Sequence, residues 1–216
     1  MEHRLKPLLI LGNRTLAVEF ADVISELKEF QLSGFVENMD RNRCNEKLEN
    51  LPIYWIDDIK VFSDSHWVVC ALATTKRSFF IRQAEQLNMP FAKVLHPSAR
   101  ISSKSTIGEG SIVNPGVIIA SHTDIGKHVI LNRGVLVGHH TQIGDFVTIQ
   151  PGANIAGACS IGSSTYIGMG AVIIDHLTIG SQSVIAAGAV VIDNVPDKVM
   201  VAGVPAKIIR QNIEGL

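Results

Sequence analysis

The 216-residue sequence predicts a mixed fold, α/β in its first 95 residues and all-β in the remainder, where the chain winds as a parallel β-helix. Three observations carry this expectation. From residue 101 to residue 191 an aliphatic side chain returns at every sixth position, sixteen times in succession and without an insertion. The residue two before each aliphatic is small or β-branched in fifteen of the sixteen cases, Leu177 being the exception. Upstream, short apolar runs alternate with stretches of helical spacing. The change of pattern sets two domains, 1–95 and 96–216.

In the first domain LLILGN (8–13) reads as a short strand ending in a turn. Residues 15–28 have helical spacing at Leu16, Phe20, Val23, Ile24 and Leu27. FQLSGFVEN (30–38) is a second strand, WVVCALAT (67–74) a buried one, 79–87 a helix, and FAKVLHP (91–97) a last strand. Such alternation builds a small parallel sheet. The polar segment 39–50 reads as a mobile loop at the ligand edge of that sheet. Ligands of such sheets sit beyond the carboxyl ends of the strands. There the sequence offers Asn13 and Arg14 after the first strand, Glu37 and Asn38 after the second, and Thr74 after the buried one. The G-x-G-x-x-G fingerprint of dinucleotide binding is absent. A phosphate held by the N–H groups of the first helix, with Arg14 adding charge, is the alternative. These same residues could equally cap helices.

In the second half, residues i and i−2 share one face of a strand. A repeat of six therefore means one large and one small inward residue per strand, followed by a corner. Gly and Asn near the corners tolerate the backbone angles of turns. A helix repeats at 3.6, which six does not match.

Charged residues make up 18% and hydrophobic ones 46%, which excludes a disordered chain. The net charge of −1 gives no footing for nucleic acid. No apolar run reaches membrane-spanning length. The amino-terminal MEHRLKPLLILGN lacks the features of a leader. Cys44, Cys70 and Cys159 form no pattern and read as reduced thiols. A cytoplasmic location is the expectation.

Five of the eight histidines lie in the repeats. If three strands complete one coil, the chain returns to the same edge after three repeats of six. His122, His140, Ala158 and His176 then form one column at a corner, and Ser121, His139 and Gly157 the column beside it. A corner imidazole suits a general base. The backbone N–H of Gly157 suits an oxyanion. Stacked histidines can also ligate zinc, but the spacings His122 to His128 and His128 to His140 lack the close pair such sites use. No metal is expected.

Several motifs together resemble the left-handed β-helix acyltransferases, in the branch of nucleotide-linked 4-amino-sugar N-acetyltransferases and sialic acid O-acetyltransferases. They are Leu95-His96-Pro97-Ser98-Ala99, Leu131-Asn132, Val137-Gly138-His139-His140, Ile143-Gly144-Asp145-Phe146, Pro151-Gly152-Ala153, and Val201-Ala202-Gly203-Val204-Pro205-Ala206-Lys207. The resemblance implies a small Rossmann-like N-terminal domain that holds the nucleotide sugar, followed by a left-handed parallel β-helix. It implies a homotrimer with active sites between subunits, acetyl-CoA as co-substrate, and a role in surface glycans such as lipopolysaccharide. His139 matches the family's base, Asn132 a substrate-binding asparagine, Gly157 and Ala187 backbone contacts to CoA, and Lys207 a lysine near the CoA phosphates. The activity implied is transfer of acetyl to the 4-amine of a UDP-, GDP- or dTDP-linked dideoxy sugar. The alternatives are O-acetylation of a sialic acid and a β-helix that serves only as a binding module.

The chain departs from that pattern at three places. His140, a catalytic candidate beside His139, stands where the family has an acid; an imidazole can orient its neighbour but cannot stabilise an imidazolium as a carboxylate does, so an orienting group is also to be sought elsewhere, on Asp145 or on an adjacent subunit. Thr148 replaces a histidine. The first-strand loop is Gly12-Asn13-Arg14-Thr15-Leu16 instead of a glycine-rich turn with a histidine.

Overall fold

A computed structural model of the protein describes residues 5–216. Met1, Glu2, His3 and Arg4, the start of the stretch read above for a leader, lie outside the described residues. The chain divides into two compact units, one of residues up to 73 with 77–97, the other of residues 74–76 with 98–216.

The first unit is a five-stranded sheet. Its strands are β1 (Lys6–Leu11), β2 (Phe30–Glu37), β3 (Lys47–Leu48), β4 (Leu51–Trp55) and β5 (Trp67–Cys70), in the order β3-β4-β2-β1-β5. All neighbours run parallel except β3 and β4. Leu8, Leu9, Ile10 and Leu11 are fully buried, so β1 is covered on both faces. That explains a continuous apolar run where a one-sided strand would alternate. Helix α1 (Thr15–Ser25) follows β1 and buries Ala17, Phe20, Val23 and Ile24; helix α2 (Ser78–Gln86) follows β5 and buries Phe80, Ile81 and Ala84. The strand order reverses between β1 and β5, which puts a ligand edge at the ends of these strands.

Segment 39–50, expected as a mobile loop, instead forms a 3₁₀ turn (Arg41–Asn45) and β3, which pairs with β4. Asp40 caps the turn by accepting from the Asn42 N–H at 3.1 Å. Aspartate is favoured at such a cap because its oxygen satisfies a donor with no helical partner. The last strand expected over 91–97 is only Val94–Leu95.

In the second unit sixteen two-residue strands, from Arg100–Ile101 to Val190–Val191, form three parallel sheets, the faces of a prism. The first face runs from Arg100–Ile101 to Val190–Val191, the second from Thr106–Ile107 to Thr178–Ile179, and the third from Ile112–Val113 to Val184–Ile185. Each strand pairs with its counterpart three repeats later, as Ile118 with Leu136 and Ile119 with Val137. The aliphatic of each repeat points inward and is buried at Ile119, Ile125, Leu131, Ile149, Ile155 and Ile173. So is the small residue two before it, at Val117, Thr123, Val129, Thr141, Ala153 and Thr165. The inward hydroxyls do not go unpaired. Thr123 Oγ1 donates to the Gly138 carbonyl at 2.8 Å and Thr165 Oγ1 to that of Gly180 at 2.7 Å, in each case in the next coil. A buried hydroxyl costs little once it is bonded.

The helix continues one turn past the sixfold run. Ile179 pairs with Val195 and Ile185 with Val201, so this coil returns earlier than those before it. Two residues are missing from the corner after Val191, and this breaks the frame that the sequence reading followed. Strands Met200–Gly203 and Ala206–Arg210 then close the end as an antiparallel hairpin.

The three faces differ outside. The second presents Thr106, Asp124, Gln142, Ser160 and Thr178, all exposed. On the third, Ile112, Ile130, Thr148 and Val184 are buried. The first presents Ile118, Leu136 and Val172 to solvent. Among the described residues no helix is long and apolar enough to cross a membrane.

Inward and outward residues of one strand should respond oppositely. Ile155→Ala, at a site 1% exposed, is expected to lower stability by about 2–5 kcal/mol in equilibrium denaturation. The exposed neighbour Asn154→Ala should change it by less than about 0.5 kcal/mol.

Candidate active site

Corners, not strands, carry the polar groups of the repeat unit. The corner between first and second faces takes left-handed backbone angles at His122, His140, Ala158 and His176, with φ of 59°, 55°, 56° and 60°. The coils are tied there by His140 N–H to the Ser121 carbonyl at 3.0 Å, Ala158 N–H to that of His139 at 2.7 Å, and His176 N–H to that of Gly157 at 3.1 Å. The two columns therefore stand side by side, as the repeat arithmetic requires.

His139 and His140 are both exposed. Their Nδ1 atoms lie 3.1 Å apart, with the ring planes at 84°. The His140 ring stacks on that of His122, centroids 4.8 Å apart and planes at 12°. The His139 ring leans over Gly157. A Cβ built at residue 157 would lie 2.8 Å from both Cε1 and Nε2 of that ring. Glycine is thus required here by close approach, and its backbone is left bare beside the imidazole. The Gly157 N–H donates to no group among the described residues.

Asp145 does not orient His139. It belongs to the corner between second and third faces, where its Oδ1 accepts from the Lys127 N–H at 2.8 Å. Asn132 and Ala187 occupy the third corner, between the third and first faces, where Gly116, Gly134, Gly152, Gly170 and Gly188 take φ of 63–70°. Asn132 is 4% exposed and forms a rung of an amide ladder. Asn114 Nδ2 donates to Asn132 Oδ1 at 3.1 Å, and Asn132 Nδ2 to Gln150 Oε1 at 3.3 Å. One chain therefore keeps Asn132 and Ala187 across the first face from His139 and Gly157. Lys207, on the closing hairpin, pairs with Asp193 at 3.7 Å with both side chains exposed. Among the described residues no three His, Cys, Asp or Glu side chains converge as a metal-ligand set.

In the first unit Glu37 is buried at the end of β2. Its Oε1 accepts from the backbone N–H groups of Asn38 and Met39, both at 2.8 Å, and its Oε2 from Asn13 Nδ2 at 2.9 Å. Burial pushes this carboxyl up, but the hydrogen bonds from Met39, Asn13, Asn38 and Asp40 outweigh it and hold the group below the usual carboxylate range. The carboxylate is spent on the loop. Arg43, not singled out in the segment read as a loop at the ligand edge, lies 3.9 Å from Glu37 and donates to the Asn13 carbonyl at 3.4 Å. Asn38 Nδ2 donates to Gln83 Oε1 at 2.7 Å. Helix α1 begins at Arg14 without a side-chain cap, so its first N–H groups are open to an anion. A groove of about 1240 Å³, lined by Asn13, Arg14, Thr15, Arg43 and Leu48 among others, runs past this helix start. Thr74 is drawn elsewhere. Its hydroxyl donates to the Leu216 carbonyl, and residues 74–76 group with the repeat unit.

Residues 158–193 match the family model described as bacterial transferase hexapeptide (six repeats). A search of curated protein sequences found no significant relative. The perosamine N-acetyltransferase of Caulobacter crescentus, solved as a histidine-to-asparagine variant with CoA and GDP-perosamine, is 27% identical. It superimposes with a TM-score of 0.87 over 95% of this chain and 97% of its own. The acetyltransferase domain of PglB from Neisseria gonorrhoeae, with acetyl coenzyme A, is 25% identical with a TM-score of 0.88 over 95% of this chain and 100% of its own. WeeI from Acinetobacter baumannii is 29% identical with a TM-score of 0.85 over 94% and 100%. The chain thus carries the hexapeptide repeats of bacterial transferases on the left-handed β-helix architecture of the sugar N-acetyltransferases it is similar to.

Glu37 sets a pH test for the first unit, which holds both tryptophans, Trp55 and Trp67. A carboxyl depressed in the folded state contributes stability above its unfolded value and loses it as pH falls through the folded one. Glu37→Gln should destabilise the unit by about 1–2 kcal/mol at pH 7 in tryptophan-monitored urea melts. The gap to wild type should close below about pH 4.

Proposed function

We propose that the protein transfers acetyl from acetyl-CoA to the 4-amino group of a nucleotide-linked dideoxy sugar. The observation that carries this is the exposed His139 imidazole against the bare backbone of Gly157, on an architecture shared with an enzyme solved with CoA and GDP-perosamine. The amine class of acceptor rests on that relative, a perosamine N-acetyltransferase.

In this reading His139 Nε2 takes the proton released as the sugar nitrogen attacks the thioester carbonyl. A C–N bond forms, the C–S bond breaks, and the proton passes to the departing CoA sulfur. The Gly157 N–H faces the oxygen that gains charge. Holding both substrates in one cleft supplies much of the rate. The nucleotide lies in the first unit, its phosphates at the open start of α1 near Arg14, with Asn13, fixed by Glu37, lining the groove and Asn38 a further contact at the end of β2. Ala187 and Lys207 contact the CoA, and Asn132 shapes the corner below it.

Gly157 and Ala187 edge opposite sides of the first face. In this reading one CoA touches Gly157 of one copy of the chain and Ala187 of another. The exposed Ile118, Leu136 and Val172 give that face an apolar surface for such packing. A homotrimer with three shared sites, working in the cytoplasm on a precursor of a surface glycan such as lipopolysaccharide, completes the proposal.

His139→Ala should lower kcat for acetyl transfer to GDP-perosamine, or to the matching UDP or dTDP sugar, by about 10² or more. Acetyl-CoA affinity should stay near wild type. Turnover close to wild type in that variant overturns the assignment. Thermal shifts with GDP, UDP and dTDP identify the base, because a ligand of the folded state raises its stability by mass action.

A further inference from the structure

We propose that His140 is the positioning residue for His139 and that His122 holds His140 in place, so that two stacked imidazoles do the work of a carboxylate. The proposal rests on the reading of His139 as the base. Two neutral imidazoles keep their Nδ1 atoms 3.1 Å apart only if one nitrogen carries hydrogen and the other does not. A base acting through Nε2 needs its hydrogen on Nδ1. His140 must then present a lone pair at Nδ1 and carry its own hydrogen on Nε2. The contact selects one tautomer of each ring.

His140 has its own support. Its ring lies flat on His122 at 4.8 Å and meets His139 edge-on, so one neighbour fixes its plane and the other its rotation within that plane. His122 and His140 share the same left-handed backbone one coil apart, which puts their rings in register. Besides His122 and His139, the adjoining coils bring Ser121, Gly157 and Ala158 to this corner, none of which titrates. Lys104 and the Asp175–His176 pair follow one coil further along the columns. No carboxylate occupies the two columns between them.

The chemistry differs from an acid partner in a testable way. A neutral acceptor orients His139 without adding negative charge. Protonating His140 turns its Nδ1 into a donor, which removes the acceptor and sets N–H against N–H. An aspartate at this position would orient the base and also stabilise its imidazolium, so the base would stay protonated to higher pH. The acidic limb of the activity profile would then move upward.

The experiment is a long-range ¹H–¹⁵N imidazole spectrum of the full-length protein, with acetyl transfer to GDP-perosamine measured beside it. Wild type should show His139 as the Nδ1–H tautomer at neutral pH. His140→Ala should shift it toward Nε2–H and lower kcat about tenfold or more with KM little changed. His140→Asn, whose amide oxygen accepts without titrating and whose backbone tolerates left-handed angles, should restore both tautomer and rate. His140→Asp should restore the tautomer and move the acidic limb to higher pH. His122→Phe should keep the His139 tautomer, and His122→Ala should loosen it. An unchanged tautomer in His140→Ala, or equal impairment of His140→Ala and His140→Asn, overturns the proposal. If His139→Ala itself keeps turnover, the reading of the base fails instead, and the spectra still report whether His140 sets the tautomer.

Discussion

The stacking of each coil on the one before it, in strict register, is the constraint from which the repeat unit is built. A backbone N–H donates to the carbonyl just ahead of its own counterpart in the next coil, as Ile118 to Val135 at 2.9 Å and Asn154 to Ala171 at 2.8 Å. The ladder needs no particular side chain. Side-chain identity is demanded inside, where one aliphatic and one small residue per strand fill the prism, at corners with left-handed angles, and at close-approach glycines such as Gly138 and Gly157. Exposed outward positions are free to vary. That freedom lets three faces of one prism differ, polar, buried and apolar, with no change in the core.

The same register turns sequence positions into columns, and chemistry follows from what stands next to what. Gly157 matters because His139 stands one coil before it. Any side chain at 157 would push into the imidazole, which also meets His140 through Nδ1. Three residues at two positions of the repeat therefore limit one another. A lone exposed histidine has many rotamers and two tautomers; this one has His140 and Gly157 against its ring.

Much of the prism could be read without coordinates because its period is short and uninterrupted. Ile119, Ile155 and Thr123 are inward for the reason their spacing states, and the neighbours of His139 follow from stepping three repeats forward or back. The reading stopped at Val191 because a two-residue deletion shifts the frame while the aliphatics persist at Val195 and Val201. In the first unit the strands β1 and β5 were legible as apolar runs. Segment 39–50 was not. Its order comes from Asp40 capping its own turn and from Glu37 accepting backbone N–H groups, which a polar composition conceals. Beside the imidazole of His140, the orienting group for His139 was sought on an acid, since acids are the usual partners of a base. Asp145 lies one corner away because it is two residues past Ile143, not past Val137, and the frame alone settles that.

Glu37 illustrates how a fold reassigns a residue chosen for its chemistry. A carboxylate at the end of the second strand of such a sheet is a natural partner for a ribose hydroxyl. Here its oxygens accept from two backbone N–H groups and one amide, and the group is buried. These charge-assisted bonds take up most of its acceptor capacity, and the one from Asn13 is buried. The carboxylate acts instead through Asn13, whose amide it pins and whose carbonyl Arg43 approaches. Recognition at this edge is left to neutral and cationic groups around the uncapped start of α1. Under the proposed function, that balance favours an anionic phosphate over a ribose as the part of a nucleotide held most tightly.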